Sequence, residues 1–199
     1  RFTDQQICIN HEDYQRAKKH FHAKYVDYLP GVGMDFSRIP HLSEEEICQK
    51  KEELGIPSEK LLLLSSGELI PRKNHETILR ALAQLKDMTQ IHYLLCGHGK
   101  LEKELHQLAK ELGISHMVTF AGYREDMLEI LQTADIFLFP SYQEGLPMAL
   151  LEAMASGLPV ICSDIRGSQD LMGEVLSQTD TAKVCSCLLY TSPSPRDTR

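Results

Sequence analysis

The sequence predicts an α/β fold, a parallel sheet with helices on both faces. Two observations carry that prediction. From Leu61 onward, short apolar runs alternate with segments whose apolar residues recur at helical spacing. The runs, such as Leu61–Leu64 and Ile136–Phe139, are apolar throughout and too short for buried helices, as strands covered on both faces are. Strands that alternate with helices pair in parallel through right-handed crossovers, and ligands of such sheets bind beyond the carboxyl ends of the strands. At 199 residues the chain is long enough for one such domain and part of another.

Each element follows from local chemistry. Asn10 to Lys19 reads as a helix with an acidic start and a basic end, as the dipole prefers, and Lys24–Leu29 as a short strand closed by Pro30-Gly-Val-Gly33. Met34 to His41 is a connector without periodicity. Ser43 and Glu46 form a capping box for a helix to Leu54, stopped by Gly55 and Pro57. After the Leu61 strand, Asn74 is read as the cap of a helix carrying Ile78, Leu79, Leu82 and Leu85. Ile91–Cys96 is the next strand, Leu101–Leu112 an amphipathic helix ended by Gly113, and Val118–Phe120 a third strand. Asp126–Thr133 is a short helix, Ile136–Phe139 a fourth strand, then a helix ended by Gly157, and Pro159–Cys162 a fifth strand.

Composition excludes several classes. The net charge of −7, with acidic residues scattered, argues against nucleic acid as the partner. No apolar stretch approaches the roughly 20 residues that cross a bilayer. The N-terminus is no signal peptide and lacks an initiator Met, so the chain reads as the interior of a longer sequence. The six cysteines are dispersed without paired CxxC motifs, which suggests neither zinc site nor disulfide framework and fits a reducing cytoplasm.

The chemistry concentrates at Glu144-Gly-Leu-Pro-Met-Ala-Leu-Leu-Glu152. Strand, glycine turn and helix N-terminus in that order make a place for an anion, because the first helical amides lack internal partners. On a helix, eight positions are a little over two turns, which places Glu152 on the side of Glu144 but deeper. One carboxylate at the mouth and one further in suit a polyhydroxylated ligand with a phosphate in its middle, the shape of a sugar nucleotide.

Further motifs follow in order: Ile9-Asn-His-Glu-Asp-Tyr14, Pro30-Gly-Val-Gly33, Gly67-Glu-Leu-Ile-Pro-Arg-Lys-Asn-His75 and Cys96-Gly-His-Gly-Lys-Leu101. Then come Phe120-Ala-Gly-Tyr-Arg124, Phe139-Pro-Ser-Tyr-Gln-Glu-Gly-Leu-Pro147 and Ser163-Asp-Ile-Arg-Gly167. With these motifs the stretch from Gln6 to Leu171 resembles family 4 of the retaining glycosyltransferases, of the bacterial exopolysaccharide and capsule type. That resemblance implies the GT-B fold, two facing Rossmann-like domains with the nucleotide sugar held mainly by the C-terminal one. It makes residues 1–40 the end of an N-terminal domain and its connector, and residues 41–177 the donor-binding domain. Most of the acceptor-binding domain would then lie outside the chain. Residues 178–199 lose the alternation and end in a polar, Pro-rich stretch, read as a non-native or disordered tail.

By resemblance, Glu144 accepts hydrogen bonds from the donor sugar and Glu152 from the ribose, a role suited to acceptor-only carboxylates facing vicinal diols. The amides of Gly145, Leu146 and Met148 would face sugar and phosphates, while Pro147 has none to give. Lys73 would meet the diphosphate. The family's usual Arg after the strand-ending Gly67 is Glu68 here, so Arg72 is the candidate substitute. Gly97 and Gly99 would let the backbone pass near the nucleotide, with His98 between them read as a surface residue rather than a base. Tyr123 and Arg124 correspond to the loop that reads the nucleobase.

The resemblance thus implies a retaining hexosyltransferase, using a UDP-sugar, in the cytoplasm or at the inner face of the membrane. Its acceptor would be a saccharide or polyprenyl-linked, and membrane contact would come through the N-terminal domain. Glu144 and Lys73 are the catalytic candidates, the one holding the sugar and the other neutralising the leaving diphosphate; neither glutamate is read as a nucleophile. No metal or other cofactor is expected, because basic side chains and a helix N-terminus stabilise the departing charge and no Asp-x-Asp follows an apolar strand. The chain alone is expected to bind donor weakly without turnover. Two other readings stay open: a sugar-nucleotide 2-epimerase and a non-catalytic nucleotide-sugar-binding module.

Overall fold

The computed structural model describes residues 3–29 and 33–176. The expected tail and most of the Pro30–Gly33 turn lie outside them. The chain opens with a small parallel unit, β1 (Gln5–Cys8), α1 (His11–His20) and β2 (Tyr25–Tyr28), in which Gln5 pairs with Tyr25 and Cys8 with Tyr28. Half of β1 is glutamine, which hides it from a hydrophobicity pattern. Asn10 caps α1 by accepting the Asp13 amide. The connector carries one 3₁₀ turn, Phe36–Arg38, and then α2 (Glu44–Glu53) begins with the Ser43–Glu46 capping box fully formed.

The rest is the doubly wound sheet. In chain order come β3 (Leu61–Ser66), α3 (His75–Ala83), β4 (Ile91–Cys96), α4 (Glu102–Glu111), β5 (Val118–Gly122) and α5 (Met127–Thr133). They are followed by β6 (Ile136–Phe139), α6 (Met148–Ala155), β7 (Val160–Cys162) and α7 (Arg166–Leu176). All five strands are parallel, in the order β5-β4-β3-β6-β7. The pleat sends alternate residues to opposite faces. Leu62, Leu64, Leu94 and Phe137 pack with Ile130, Leu150 and Ala153 on one side, while Leu63, Tyr93 and Leu95 pack with Ile78, Leu79 and Leu105 on the other. A fully buried leucine contributes on the order of 2 kcal/mol, so β3 and β4, sealed from both sides, anchor the fold.

This strand order sets the position of the site. The chain winds outward from β3 through β4 and β5, then returns and winds the other way through β6 and β7. Between β3 and β6 their following loops diverge, and a crevice forms beyond the carboxyl ends of the strands.

Candidate functional site

The loops after β3 and β6 are stitched together across this crevice. The Tyr142 amide donates to the Arg72 carbonyl at 2.9 Å, and Asn74 Nδ2 donates to the Pro140 carbonyl at 3.1 Å. Asn74 therefore differs from its expected role. Its backbone is left-handed, with φ 55°, and its side chain does not cap α3; its Oδ1 accepts from Thr77 Oγ1 instead.

The stitched loops bring together Lys73, Arg72 and Glu144. Glu144 Oε1 lies 2.9 Å from Lys73 Nζ and 2.7 Å from Arg72 Nη1, and Arg72 also donates to the Gln143 carbonyl. The Glu144 and Lys73 side chains are 10% and 14% exposed, that of Arg72 42%. Burial would push the Glu144 carboxyl up, but Lys73 and then Arg72 outweigh it and hold it below the ordinary glutamate value. Arg72 and Lys73 thus meet on the same carboxylate oxygen. Glu68 is exposed and lines an adjoining cleft.

Glu144 lies in the loop before α6, which starts at Met148, so helical spacing does not relate it to Glu152. Glu152 sits within α6, half-buried, and makes no side-chain hydrogen bond or ion pair among the described residues. Burial raises its pKa, partly offset by Arg38 of the connector. Pro147 occupies the N-cap position of α6 rather than its first turn, with φ −81° and ψ 91°. The amides of Gly145, Leu146 and Met148 donate to no group of the described residues, which leaves a row of donors at the helix mouth beside Glu144.

Next to the triad, beyond β3, β4 and β5, opens a cleft of about 300 Å³. Gly67, Gly97, His98, Tyr123 and Arg124 line it. Lys73 and Glu144 stand outside it, and Gly67 joins the two regions, since a Cβ there would sit 3.3 Å from Lys73 Cε. Gly97 cannot be replaced without rearrangement: with φ +145°, its Cβ would fall 1.9 Å from the Gly67 carbonyl oxygen. A Cβ on Gly99 would stand 2.6 Å from the Leu69 carbonyl oxygen, so the two glycine loops pack backbone on backbone. His98 meets Tyr123 edge-on, and Tyr123 is 68% exposed at the rim. Arg124 is committed elsewhere: its guanidinium pairs with Asp126 and Glu53 at 2.6 Å each, in a network with Lys50 that ties α2 to the start of α5. Cys96 also lines the cleft, and burial pushes its thiol up to about 12.

The profile of the glycosyl transferases group 1 family matches residues 46–177. The chain belongs to that family. It is 33% identical over 173 residues to the putative glycosyltransferase EpsD of Bacillus subtilis, covering 86% of this chain and 45% of EpsD. It is 32% identical over 169 residues to the lipopolysaccharide glucosyltransferase WaaG of Escherichia coli, covering 83% and 43%. The crystal structure of Anabaena HepE with UDP-glucose superposes with a TM-score of 0.75 at 23% identity, over 86% of this chain and 48% of HepE. The GT-B relationship expected from the motifs is thus upheld. This chain spans less than half the length of these relatives.

Sequence reasoning singled out the residues that meet here, but not the Asn74 stitch or the buried His75 behind it. It also flagged Ser163–Gly167 without a role. In the structure this segment leads into α7, whose first turn packs under the Glu144 loop.

Proposed function

We propose that residues 41–177 hold a nucleotide diphosphate sugar across the β3–β6 crevice, and that the whole protein transfers its hexosyl group, with retention, to a saccharide or lipid-linked acceptor in polysaccharide biosynthesis. One observation carries this reading: two cations and a buried carboxylate converge beside three amides that have no acceptor among the described residues, at a helix mouth. The diphosphate would meet Lys73, Arg72 and the amides, and the base would enter the cleft beside Tyr123. The diphosphate competes with Glu144 for the two cations and releases its carboxylate toward the sugar hydroxyls. Glu152, half-buried and without a hydrogen bond or ion pair among the described residues, is suited to the ribose diol. As the glycosidic bond breaks, charge grows on the leaving diphosphate, and fixed positive groups in a half-buried site stabilise it most at that point.

UDP is the donor nucleotide supported by HepE, which was crystallised with UDP-glucose. A thermal-shift panel of UDP-, GDP- and ADP-sugars tests the choice. At 100 times its Kd a ligand stabilises by about 2.7 kcal/mol, roughly 5–10 °C for a chain of this size. A shift confined to UDP-sugars is expected; no shift with any of them contradicts the reading.

A further inference from the structure

Arg166 opens α7 and reaches two distant parts of the chain. Its Nη1 donates to Asp13 Oδ1 of α1 at 2.8 Å, and its Nε lies 3.5 Å from the Glu144 carbonyl oxygen. Asp13 is held for this contact. Asn10, only 1% exposed, donates to its other carboxylate oxygen at 2.8 Å and accepts its amide at 2.8 Å. A reciprocal bond runs back from the His11 amide to Asp170 Oδ2 of α7 at 3.1 Å. On the other side of Arg166, Gly167 presses against the site: a Cβ there would stand 2.6 Å from the Gly145 carbonyl oxygen and 3.0 Å from that of Glu144. The loop that presents Glu144 and the free amides therefore rests on the first turn of α7, and α1 grips that same turn.

We propose that Asp13 and Arg166 form a clasp through which the seating of α1 positions the Glu144–Gly145 loop. Arg166 is a positioning residue; the donor contacts stay with Glu144, Lys73 and the amides. The effect on donor binding rests on the function proposed above, whereas the clasp itself does not. The Arg166 and Asp13 side chains are 26% and 40% exposed, so the pair adds little to global stability. Its loss should be felt locally, at the sugar end of the site, rather than in the melting temperature.

Amide hydrogen exchange on the full chain tests this, read by NMR at Tyr142, the loop amide that donates to the Arg72 carbonyl. Arg166→Met is expected to speed exchange there about fivefold while the thermal midpoint moves by less than about 3 °C. Asp13→Asn, isosteric and on the solvent side, should act in the same direction and carries the test should Arg166→Met fail to fold. Arg166→Lys keeps a cation for Asp13 but loses Nε, so it should fall between wild type and Arg166→Met. Affinity for UDP-glucose should drop about fivefold and that for UDP by less, because the loop amides meet the diphosphate of both ligands while Glu144 meets only the sugar. Unchanged exchange at Tyr142 in both Asp13→Asn and Arg166→Met overturns the clasp. Wild-type chain that binds no UDP-glucose overturns the donor reading instead, and the exchange data still decide the clasp.

Discussion

Replacing Glu144 by Gln removes the counter-charge that Lys73 and Arg72 share among the described residues. Arg72 is 42% exposed, so water absorbs most of its loss. Lys73 is 14% exposed and keeps a nearly buried ammonium that faces a neutral amide and the Phe139 ring, 5.3 Å away, with its counter-charge gone. Breaking a fully buried pair costs about 3–5 kcal/mol; for this nearly buried site about 2–3 kcal/mol is expected, a fall in midpoint of roughly 4–12 °C at pH 7. The pH dependence has a definite sign. Glu144 titrates lower in the folded state than its ordinary value of 4.5, so its contribution is fully present above that value and is lost as pH falls through the folded pKa. The gap between wild type and Glu144→Gln should therefore be wide at pH 7 and close at lower pH. Thermal midpoints from pH 3 to 7 measure it, and differencing cancels the other titrating groups. Equal midpoints at pH 7, or a gap independent of pH, refute the electrostatic account of this triad.

Lys73→Met should weaken UDP and UDP-glucose alike, by about ten- to a hundredfold in calorimetric titration, because both carry the diphosphate. His75 is 4% exposed at the start of α3, and burial, with repulsion from Lys73, lowers its pKa to about 4. A depressed histidine lowers stability as pH falls from its unfolded value of 6.5 toward 4, by about 3 kcal/mol in all. His75→Met should flatten that limb of a denaturant-midpoint profile. Gly97→Ala forces apart the two glycine loops and should destabilise by more than about 3 kcal/mol, measured by urea unfolding.

The sheet was readable because its strands are buried on both faces and carry uniform apolar runs such as Leu61–Leu64. β1 escaped notice because Gln5 and Gln6 interrupt any pattern. α7 carries Leu171, Met172, Val175 and Leu176 at helical spacing, but its first turn, Arg166-Gly-Ser-Gln169, is polar and its glycine is a poor helix former. The site residues were readable as motifs, but their mutual arrangement was not. Helical spacing relates residues within one helix, and Glu144 precedes α6. Its partners come from 71 and 72 positions earlier in sequence, brought near by the turn of the sheet between β3 and β6. Asn74 looked like a helix cap because asparagine commonly is one. Its left-handed backbone instead aims the side chain across the crevice, a tertiary choice that no local pattern encodes.

The proposed donor site joins Glu144, Glu152, Lys73 and the amides at the mouth of α6. Calorimetric titration of UDP-glucose into the wild-type chain and a Glu152→Ala variant tests it most directly. Glu152 is half-buried, makes no hydrogen bond or ion pair among the described residues and is raised in pKa by burial, so its removal should not harm the fold at neutral pH. Wild type should bind, and the variant at least about tenfold more weakly, near 1.4 kcal/mol. Undiminished affinity in Glu152→Ala, or no binding by wild type, contradicts it.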